Sequence, residues 1–214
     1  RVASESSNGT WTEVTTMKPR IRKLSAKAFK IDGYHVNVAY PVDLFEPGNM
    51  PQIFSSIAGN TFGMKALKDL RLDDVKWPKR IMASFKGPQF GIKGIRGIFR
   101  EYERPLTATV PKPKVGMTPI EHAMVGYEAW VGGIDLLKDD ENLTSQSFNK
   151  FSDRARASMR LRDKAEKETG EKKSYLINVS AETKEMMKRA KLAAALGCEY
   201  IMVDILTVGW AGLQ

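Results

Sequence analysis

The second half of the chain alternates short apolar runs with longer segments in which apolar residues recur every three or four positions. The short runs are rich in β-branched and aromatic residues and predict strands, whereas the longer segments predict helices. Gly170 and Gly197 follow two of these segments, as expected for residues that end a helix. The predicted strands are 106–110, 134–137, 175–179 and 200–205, and the predicted helices are 118–130, 148–169 and 181–196.

Strands that alternate with helices predict a parallel sheet built from βαβ units. An open doubly wound sheet and a (β/α)8 barrel both have this alternation of strands and helices, so the pattern alone does not distinguish the two folds. In a barrel the active site forms at the carboxyl ends of the strands. The polar residues that follow each predicted strand are therefore candidates for chemistry.

The first half of the chain has a different pattern, which predicts an α+β domain. Glycines between residues 87 and 97 predict an irregular connector. We therefore predict an α+β domain with its connector at 1–104 and the βα domain at 105–214. The predicted strands of the first domain are 10–16, 28–34 and 34–39, and 51–70 is predicted to be helical with an interruption at Gly59 and Asn60.

Composition narrows the class of protein. The 214 residues include 34 Lys and Arg against 25 Asp and Glu, for a net charge of +9, which permits a nucleic-acid, anionic-lipid or polyanionic small-molecule partner without choosing among them. Cys198 is the only cysteine, so no internal disulfide forms, and no apolar run reaches the roughly 18 residues of a spanning helix. We expect a soluble, cytoplasmic protein that does not bind membranes. Because the sequence opens on Arg1 without a signal peptide, we also expect it to be part of a longer chain.

Two lysines follow the first strand of the βα half. Lys112 and Lys114 are two positions apart in an extended, proline-flanked segment, so their side chains point to one side. Two ammonium groups that point toward the carboxyl ends of the strands, the mouth of a barrel, suit a substrate that carries phosphate or develops negative charge. A solvated basic turn is the alternative interpretation.

A denser cluster follows the second strand. Asp140 and Glu141 supply the hard oxygen ligands that Mg²⁺ prefers. Lys138 beside them would repel a cation as an ammonium, but an uncharged amine could add CO₂ and become a carbamate, which is an anionic oxygen ligand. The alternative is a solvated charged loop that caps the next helix.

Four stretches of the chain resemble the large subunit of ribulose bisphosphate carboxylase (RuBisCO), and their sequences are most similar to archaeal form III members. These stretches read TATVPKPKVG, GGIDLLKDDENLTSQSF, ESSNGTW and GNTFGMKALKDLRLDD. The resemblance implies an α+β N-terminal domain followed by a (β/α)8 barrel, of which about the first four βα units are present. It thereby favours the barrel over the open sheet.

The resemblance also implies roles for the two clusters of the βα half. Lys138 matches the lysine that activating CO₂ carbamylates and that removes the C3 proton of the substrate, and Asp140 and Glu141 match the Mg²⁺ ligands. Lys112 matches the lysine that protonates the departing three-carbon carbanion. Lys114 lies behind it, helps to set its ionisation and belongs to the substrate-binding set.

In the first half, the resemblance implies four substrate-side residues that reach into the barrel of a partner subunit. Thr10 and Trp11 match phosphate-binding residues, Asn60 matches a residue that contacts substrate near the metal, and Glu5 matches one that pairs with a mobile-loop lysine. A homodimer or an oligomer of dimers is therefore expected, with each active site shared between subunits.

The implied activity is carboxylation of ribulose 1,5-bisphosphate by CO₂ to 3-phosphoglycerate through a Mg²⁺-stabilised enediolate, with oxygenation by O₂ in competition. The archaeal resemblance further suggests AMP salvage. Two alternatives remain: a RuBisCO-like protein that catalyses a related enolisation or isomerisation, and a basic nucleic-acid-binding module. The retained motif residues favour the carboxylase, and the scattered basic residues argue against nucleic acid. We expect the 214-residue chain alone to be inactive and its complete parent to be active.

The remaining polar and sulfur residues have weaker predictions. Asn178 and Asp204 match positions at the same mouth. His35 and His122 belong to no matched motif and are predicted to be structural or exposed, and Cys198 is predicted to be a small buried filler. A basic helix face is predicted to be solvated, with a subunit contact as the alternative; it comprises Arg154, Arg156, Arg160 and Arg162.

Overall fold

The computed structural model describes residues 1–214, which form two compact units, Arg1–Gly87 and Pro88–Gln214. The segment that precedes the parallel sheet belongs to the second unit. None of the helices combines the length and the apolar content that crossing a bilayer requires. The expected order of an α+β region followed by a βα region is confirmed.

The first unit contains an antiparallel hairpin of β1 (Lys27–Asp32) and β2 (His35–Ala39), with an irregularity in the register near Ala28. This confirms the two predicted strands at 28–34 and 34–39. The strand predicted over 10–16 is wrong: the segment forms bends and turns. Its β-branched residues have no neighbouring strand to pair with, and β-propensity stabilises a strand only within a ladder.

Helices complete the first unit. The longest of them is capped by the Asn49 side chain, which accepts a hydrogen bond from the Gln52 N–H at 3.0 Å. The predicted interruption at Gly59 and Asn60 is wrong, because this helix continues to Phe62 and buries Ile53, and its packing outweighs the cost of a helical glycine. The helices are α1 (Val2–Glu5), α2 (Pro19–Arg22), α3 (Met50–Phe62) and α4 (Lys79–Met82), with a 3-10 turn at Val42–Leu44.

The second unit opens with helix α5 (Gly91–Phe99), where the glycines had predicted an irregular connector. That prediction is wrong. Phe99 is buried, and the Arg96 guanidinium donates to the carbonyls of Glu101 and Arg104 at 3.0 and 2.9 Å. Tertiary contacts at the carboxyl end of the helix thus compensate for its weak helix propensity.

A four-stranded parallel sheet forms the centre of the second unit, with its strands in sequence order from edge to edge. Thr109 pairs with Leu137, Lys138 with Leu176 and Asn178 with Met202. This register places the carboxyl ends of all four strands on the same side of the sheet, which is called the carboxyl edge below; the opposite side, where the strands begin, is the amino edge. The strands are β3 (Ala108–Thr109), β4 (Leu136–Lys138), β5 (Ser174–Asn178) and β6 (Tyr200–Met202).

Helices connect these strands close to the predicted positions. A reciprocal capping box of Thr118 and Glu121 starts the first, and Gly170 ends the second at φ 69°. The strand predicted over 200–205 ends early, because the Asp204 carboxylate accepts from the Leu206 N–H at 3.2 Å and begins a helix. The helices are α6 (Pro119–Val131), α7 (Phe151–Thr169), α8 (Thr183–Ala195) and α9 (Ile205–Leu213).

The core of the second unit lies between the sheet and its helices. Gly126 of α6 lets that helix approach β4, since a Cβ there would lie 2.5 Å from Leu137 Cδ2. Cys198 packs against this core half-buried, and burial raises the pKa of its thiol to about 12. The buried side chains of the cluster include Trp130, Leu137, Phe151, Ala155, Met159, Tyr175, Ile177 and Val179.

Candidate active site

The loops after β3 and β4 contact each other through two lysines. Lys112 Nζ lies 3.1 Å from Asp140 Oδ2, and Lys114 Nζ donates to Asn142 Oδ1 at 2.6 Å. Both side chains therefore reach from the first loop to the second, as expected for residues two apart in an extended segment. The Lys112 side chain is 65% exposed, so its contact with Asp140 faces solvent.

Lys138 ends β4 and faces the following loop. Its Nζ lies 2.6 Å from Glu141 Oε1 and donates to the Asp139 carbonyl at 2.9 Å. The register of β4 with β5 fixes where this lysine leaves the sheet. Lys138, Asp140 and Glu141 are thus brought together at one loop, with Lys112 across from them.

Both carboxylates of this loop are held in the charged form. For Asp140, burial raises the pKa, but hydrogen bonds from the Asn142 N–H and the Lys112 ammonium outweigh it and lower the pKa. For Glu141, the hydrogen bond from Lys138 lowers the pKa. The loop presents two negatively charged groups, each paired with a lysine.

The donor set fits Mg²⁺ in one specific way. Asp140 and Glu141 offer hard oxygen atoms, yet nowhere in the chain do three His, Cys, Asp or Glu side chains gather as a cation site. Lys138 is the remaining side chain at this loop within reach of Glu141, and a carbamate on its Nζ would add an anionic oxygen. The residues therefore offer Mg²⁺ two carboxylate ligands, and a third protein ligand would be the Lys138 carbamate that the resemblance implies.

Beneath the loop lies a buried polar network that sequence reasoning missed. The Asp139 carboxylate is fully buried and accepts from the Tyr175 hydroxyl at 2.6 Å and from the Asn178 N–H at 3.0 Å. His122 Nε2 lies 3.1 Å from Asp139 Oδ1. Burial raises the pKa of Asp139, but the hydrogen bond from His122 and the charge of Arg154 outweigh it and lower the pKa. Asp139 is therefore a buried anion surrounded by donors.

Arg154 is the cation of this network, which corrects the prediction that the basic face of α7 is solvated. Its guanidinium is fully buried and donates through Nε and Nη2 to Asp139 Oδ2, both at 3.2 Å. Arg162 is also buried, whereas Arg156 and Arg160 are exposed as predicted. The prediction failed for two arginines because α7 turns one side of its basic face toward the sheet.

The two histidines have different environments. His122 is buried in this network, and its Nδ1 has no hydrogen-bond partner. His35 is exposed on the hairpin of the first unit, where its Nδ1 lies 3.4 Å from Asp73 Oδ2. The expected exposure is thus confirmed for His35, whereas a structural role for His122 stays a prediction.

The side chains of Asn178 and Asp204 make hydrogen bonds with backbone groups near the carboxyl ends of the strands. Asn178 is fully buried, and its amide donates to the carbonyls of Glu141 and Leu143, both at 3.1 Å. Asp204 caps α9, and its N–H donates to Ser180 Oγ at 2.8 Å. Both residues fix the loops at the carboxyl edge of the sheet.

In the first unit, three of the four predicted residues form one cluster. Trp11 Nε1 donates to Glu5 Oε2 at 2.9 Å, and Asn60 Nδ2 lies 3.4 Å from Glu5 Oε1. The Arg1 guanidinium stacks 5.2 Å from the centre of the Trp11 ring. Glu5 and Asn60 also line an open cavity of about 390 Å³ beside α3. Thr10 precedes Trp11 and is half-buried.

Two sequence families match this chain, one on each unit. The model described as "Ribulose bisphosphate carboxylase large chain, N-terminal domain" matches residues 1–81, and the one described as "Ribulose bisphosphate carboxylase large chain, catalytic domain" matches residues 91–214. The chain belongs to the RuBisCO large-chain family. The α+β region is the N-terminal domain of that family, and the parallel sheet is part of its catalytic barrel.

Individual RuBisCO relatives agree with this assignment. The ribulose bisphosphate carboxylase of Pyrococcus abyssi is 52% identical over 218 residues, which cover 100% of this chain and 51% of the relative. The structure titled "Dimeric Archeal Rubisco from Hyperthermus butylicus" matches with a TM-score of 0.93 at 51% identity, over 99% of this chain and 51% of its own. An octameric Rubisco from Pyrococcus horikoshii, in complex with sulfate ion, has a TM-score of 0.94 at 50% identity and covers 100% and 51%. The chain spans about half the length of these relatives.

A signal for the buried network was present in the sequence. Side chains alternate in direction along extended chain, so if Lys138 and Asp140 point into the mouth, Asp139 between them must point into the protein. A buried aspartate needs a cation or several donors. The sequence therefore indicates that Asp139 needs a cationic partner, but only the fold identifies that partner as Arg154.

Proposed function

We propose that the protein containing this chain is a ribulose-1,5-bisphosphate carboxylase, a carboxy-lyase that forms 3-phosphoglycerate from the bisphosphate and CO₂, with O₂ as a competing substrate. One observation carries the proposal: Lys138, Asp140 and Glu141 converge at the end of β4 with Lys112 opposite them. The proposal is supported by about half identity to relatives named ribulose bisphosphate carboxylase.

In the second unit, Lys138 would serve proton removal, and Asp140 and Glu141 would serve metal binding. The Lys138 ammonium would release one proton to become an amine and a second on adding CO₂, and the resulting carbamate oxygen would be the base for the C3 proton of the substrate. Asp140 and Glu141 would hold Mg²⁺, which when bound supplies a Lewis acid that polarises substrate oxygens. Their ion pairs with Lys112 and Lys138 must open for this to occur. In each pair one partner is exposed, Lys112 at 65% and Glu141 at 54%, so water can solvate that partner when the pair opens.

Lys112 and Lys114 would serve the later proton transfer. Lys112 Nζ already lies beside Asp140 and would deliver a proton to the three-carbon carbanion that leaves after carboxylation. Lys114 is held by Asn142 at 2.6 Å, which keeps a second positive charge near the first. Two cations at this mouth also suit the negative charge of a bisphosphate.

The residues of the first unit would complete the site of a second copy. Glu5, Trp11 and Asn60 form a polar cluster. Trp11 and Thr10 would bind a phosphate of the substrate, Asn60 would contact the substrate near the metal, and Glu5 would pair with a lysine of a mobile loop. We propose a homodimer as the smallest active form, or an oligomer of dimers. Support comes from the titles of two related structures, which describe a dimer and an octamer. Salvage of AMP-derived ribose phosphate is the proposed role, as for the archaeal members that the sequence resembles.

The test is CO₂-dependent formation of 3-phosphoglycerate by the protein expressed from its whole gene. Activity should require preincubation with CO₂ and Mg²⁺, and Lys138→Ala should reduce it by about a thousandfold or more, because it removes the proposed base and metal ligand together. Lys167→Ala, an exposed lysine on α7, is the control and should keep wild-type activity. Unchanged activity in Lys138→Ala would refute the carbamate. Enolisation without 3-phosphoglycerate would instead establish a RuBisCO-like protein.

A further inference from the structure

The loop of residues 139–144 carries both proposed metal ligands, yet it belongs to no helix or strand. Its backbone is held from below by the Asn178 side chain, whose amide nitrogen lies 3.4, 3.1 and 3.1 Å from the carbonyls of Asp140, Glu141 and Leu143. The Ser180 N–H donates to Asn178 Oδ1 at 3.0 Å. Since an N–H can only donate, that contact fixes which end of the amide faces the loop.

Arg154 holds both ends of the same loop. Its Nη2 donates to the Thr144 carbonyl at 2.9 Å, and its Nε and Nη2 bind the Asp139 carboxylate at 3.2 Å. Asp139 begins the loop and Thr144 ends it. One buried guanidinium therefore spans the segment, which a planar fork of donors can do and a single ammonium cannot.

The same group also reaches the lysine-bearing loop after β3. Arg154 Nη1 donates to Asn149 Oδ1 at 3.2 Å, and Asn149 Nδ2 donates to the Met117 carbonyl at 2.9 Å. Arg154, Asn149 and Asn178 are fully buried. The network thus joins the two loops whose side chains form the candidate site.

We propose that Asn178 and Arg154 are positioning residues that hold loop 139–144 in one conformation and thereby set the Mg²⁺ affinity of Asp140 and Glu141. The inference rests on the proposed function. Neither residue contacts the carboxylates of Asp140 and Glu141; both act on the backbone and on Asp139. Outer partners of this kind alter metal affinity by about 10–100-fold when removed.

The first test uses Asn178→Ala and Asn178→Asp in the protein expressed from its whole gene. Alanine removes the donor to three carbonyls, and aspartate keeps the shape but turns a carboxylate oxygen toward them. Ser158→Ala is the matched control, because Ser158 is buried on α7 and its hydroxyl has no partner. Two quantities are measured: amide hydrogen exchange of residues 139–144 without metal, and the Mg²⁺ dissociation constant by calorimetry at fixed bicarbonate.

Without metal, exchange in loop 139–144 should accelerate by about tenfold in both Asn178 variants while α7 stays protected. The Mg²⁺ dissociation constant should rise by about 10–100-fold, with kcat at saturating Mg²⁺ within about threefold of wild type. A merely structural role would lower stability without separating metal affinity from kcat. Exchange and Mg²⁺ affinity equal to those of Ser158→Ala would overturn the proposal.

Arg154→Lys provides the second variant, in case Asn178 is required for folding. Lysine keeps a positive charge near Asp139 but loses the fork that reaches Thr144. It should loosen the end of the loop and weaken Mg²⁺ binding in the same direction. A wild-type protein without Mg²⁺-dependent 3-phosphoglycerate formation would refute the proposed function, whereas unchanged exchange in all three variants would refute the positioning role alone.

Discussion

The carboxylates at the two ends of the parallel strands differ in how many partners they have and how exposed those partners are. At the carboxyl edge, Asp140 and Glu141 each pair with one lysine on or beside an exposed loop. At the amino edge, the buried Asp135 carboxylate accepts two hydrogen bonds from the Arg104 guanidinium, at 2.7 and 2.8 Å, and two more from the N–H and hydroxyl of Thr107. At the carboxyl edge, each carboxylate has one lysine partner, and Asp140 also accepts from the Asn142 N–H at 3.1 Å, whereas Asp135 at the amino edge has four donors.

A second amino-edge group repeats the saturated arrangement. Glu199 precedes β6 and lies 2.8 Å from Lys172 Nζ and 3.3 Å from Arg162 Nη1, and it accepts from the Ser174 hydroxyl at 3.0 Å. Burial raises the pKa of Glu199, but the hydrogen bond from Lys172 and the charges of Arg162 and Lys172 outweigh it and lower the pKa. Both amino-edge acids are thus fixed in the folded state.

The difference indicates where ligands can bind. A carboxylate with several buried donors would lose them all on binding a new ligand, which is costly. A carboxylate paired with one exposed lysine can exchange that lysine for a metal or substrate at small cost. This agrees with barrels in general, in which carboxyl-edge residues serve catalysis and amino-edge residues serve stability.

The largest effect is expected for a substitution at the carboxyl edge, which should lower the carboxylation rate. Lys112→Met removes the ammonium that faces Asp140, and carboxylation should fall by about 10²–10⁴-fold, the usual contribution of a general acid. The thermal midpoint should change by less than about 2 °C, because the ion pair is exposed. A variant that loses stability but keeps its rate would reverse the comparison.

The intermediate effect is on stability at the amino edge. Asp135→Asn should lower the free energy of unfolding by about 2 kcal/mol at neutral pH and leave carboxylation unchanged. Burial raises the pKa of Asp135, but hydrogen bonds from Arg104 and Thr107 outweigh it and lower the pKa to about 2. Because the folded-state pKa is depressed, the stabilisation is complete above about pH 4 and is lost as the pH falls through about 2.

Unfolding midpoints of wild type and Asp135→Asn between pH 7 and pH 2 test this prediction. The gap between the two proteins should close toward pH 2. Asp163→Asn is the control, since Asp163 is 56% exposed in its pair with Arg162 and should show no comparable gap. A gap that stays constant down to pH 2 would contradict the assignment to Asp135.

The smallest effect concerns stability at the carboxyl edge itself. Thr118→Ala removes the cap of α6, in which Thr118 Oγ1 accepts from the Glu121 N–H at 3.3 Å and the Glu121 carboxylate accepts from the Thr118 N–H at 2.8 Å. The loss should be about 1 kcal/mol in chemical denaturation, and Thr118→Ser should restore it. A loss of activity larger than the loss of stability would show that this cap also supports the lysine loop.

The sequence predicted the regular elements of the second unit because their pattern and their caps agree. Helix α7 ends at Gly170 as expected, and β5 lies within one residue of its predicted position. The failures are local. Helix α5 forms despite its glycines because Phe99 is buried and stacks on Tyr200, about 100 residues away. Residues 10–16 form no strand because no other strand pairs with them.

The candidate site divides in the same way. Lys112, Lys138, Asp140 and Glu141 were found because they lie within short motifs, and the resemblance to a known family gave them roles. Arg154 was predicted to be solvated and is buried. Its partner Asp139 is 15 residues away in sequence, and a charge pattern along one helix does not say which arginine faces a buried acid.

The sequence by itself determined the order of the elements, the candidate residues of the site and the family to which the chain belongs. Only the tertiary structure decided which charges are exchangeable and which are fixed. Local pattern sets helix and strand, but the burial of a charge and its number of donors depend on segments that the fold brings together. Asp139 and Asp140 are neighbours in sequence, yet Asp139 is enclosed by four residues, whereas Asp140 accepts only from a neighbouring backbone N–H and from the exposed Lys112 ammonium.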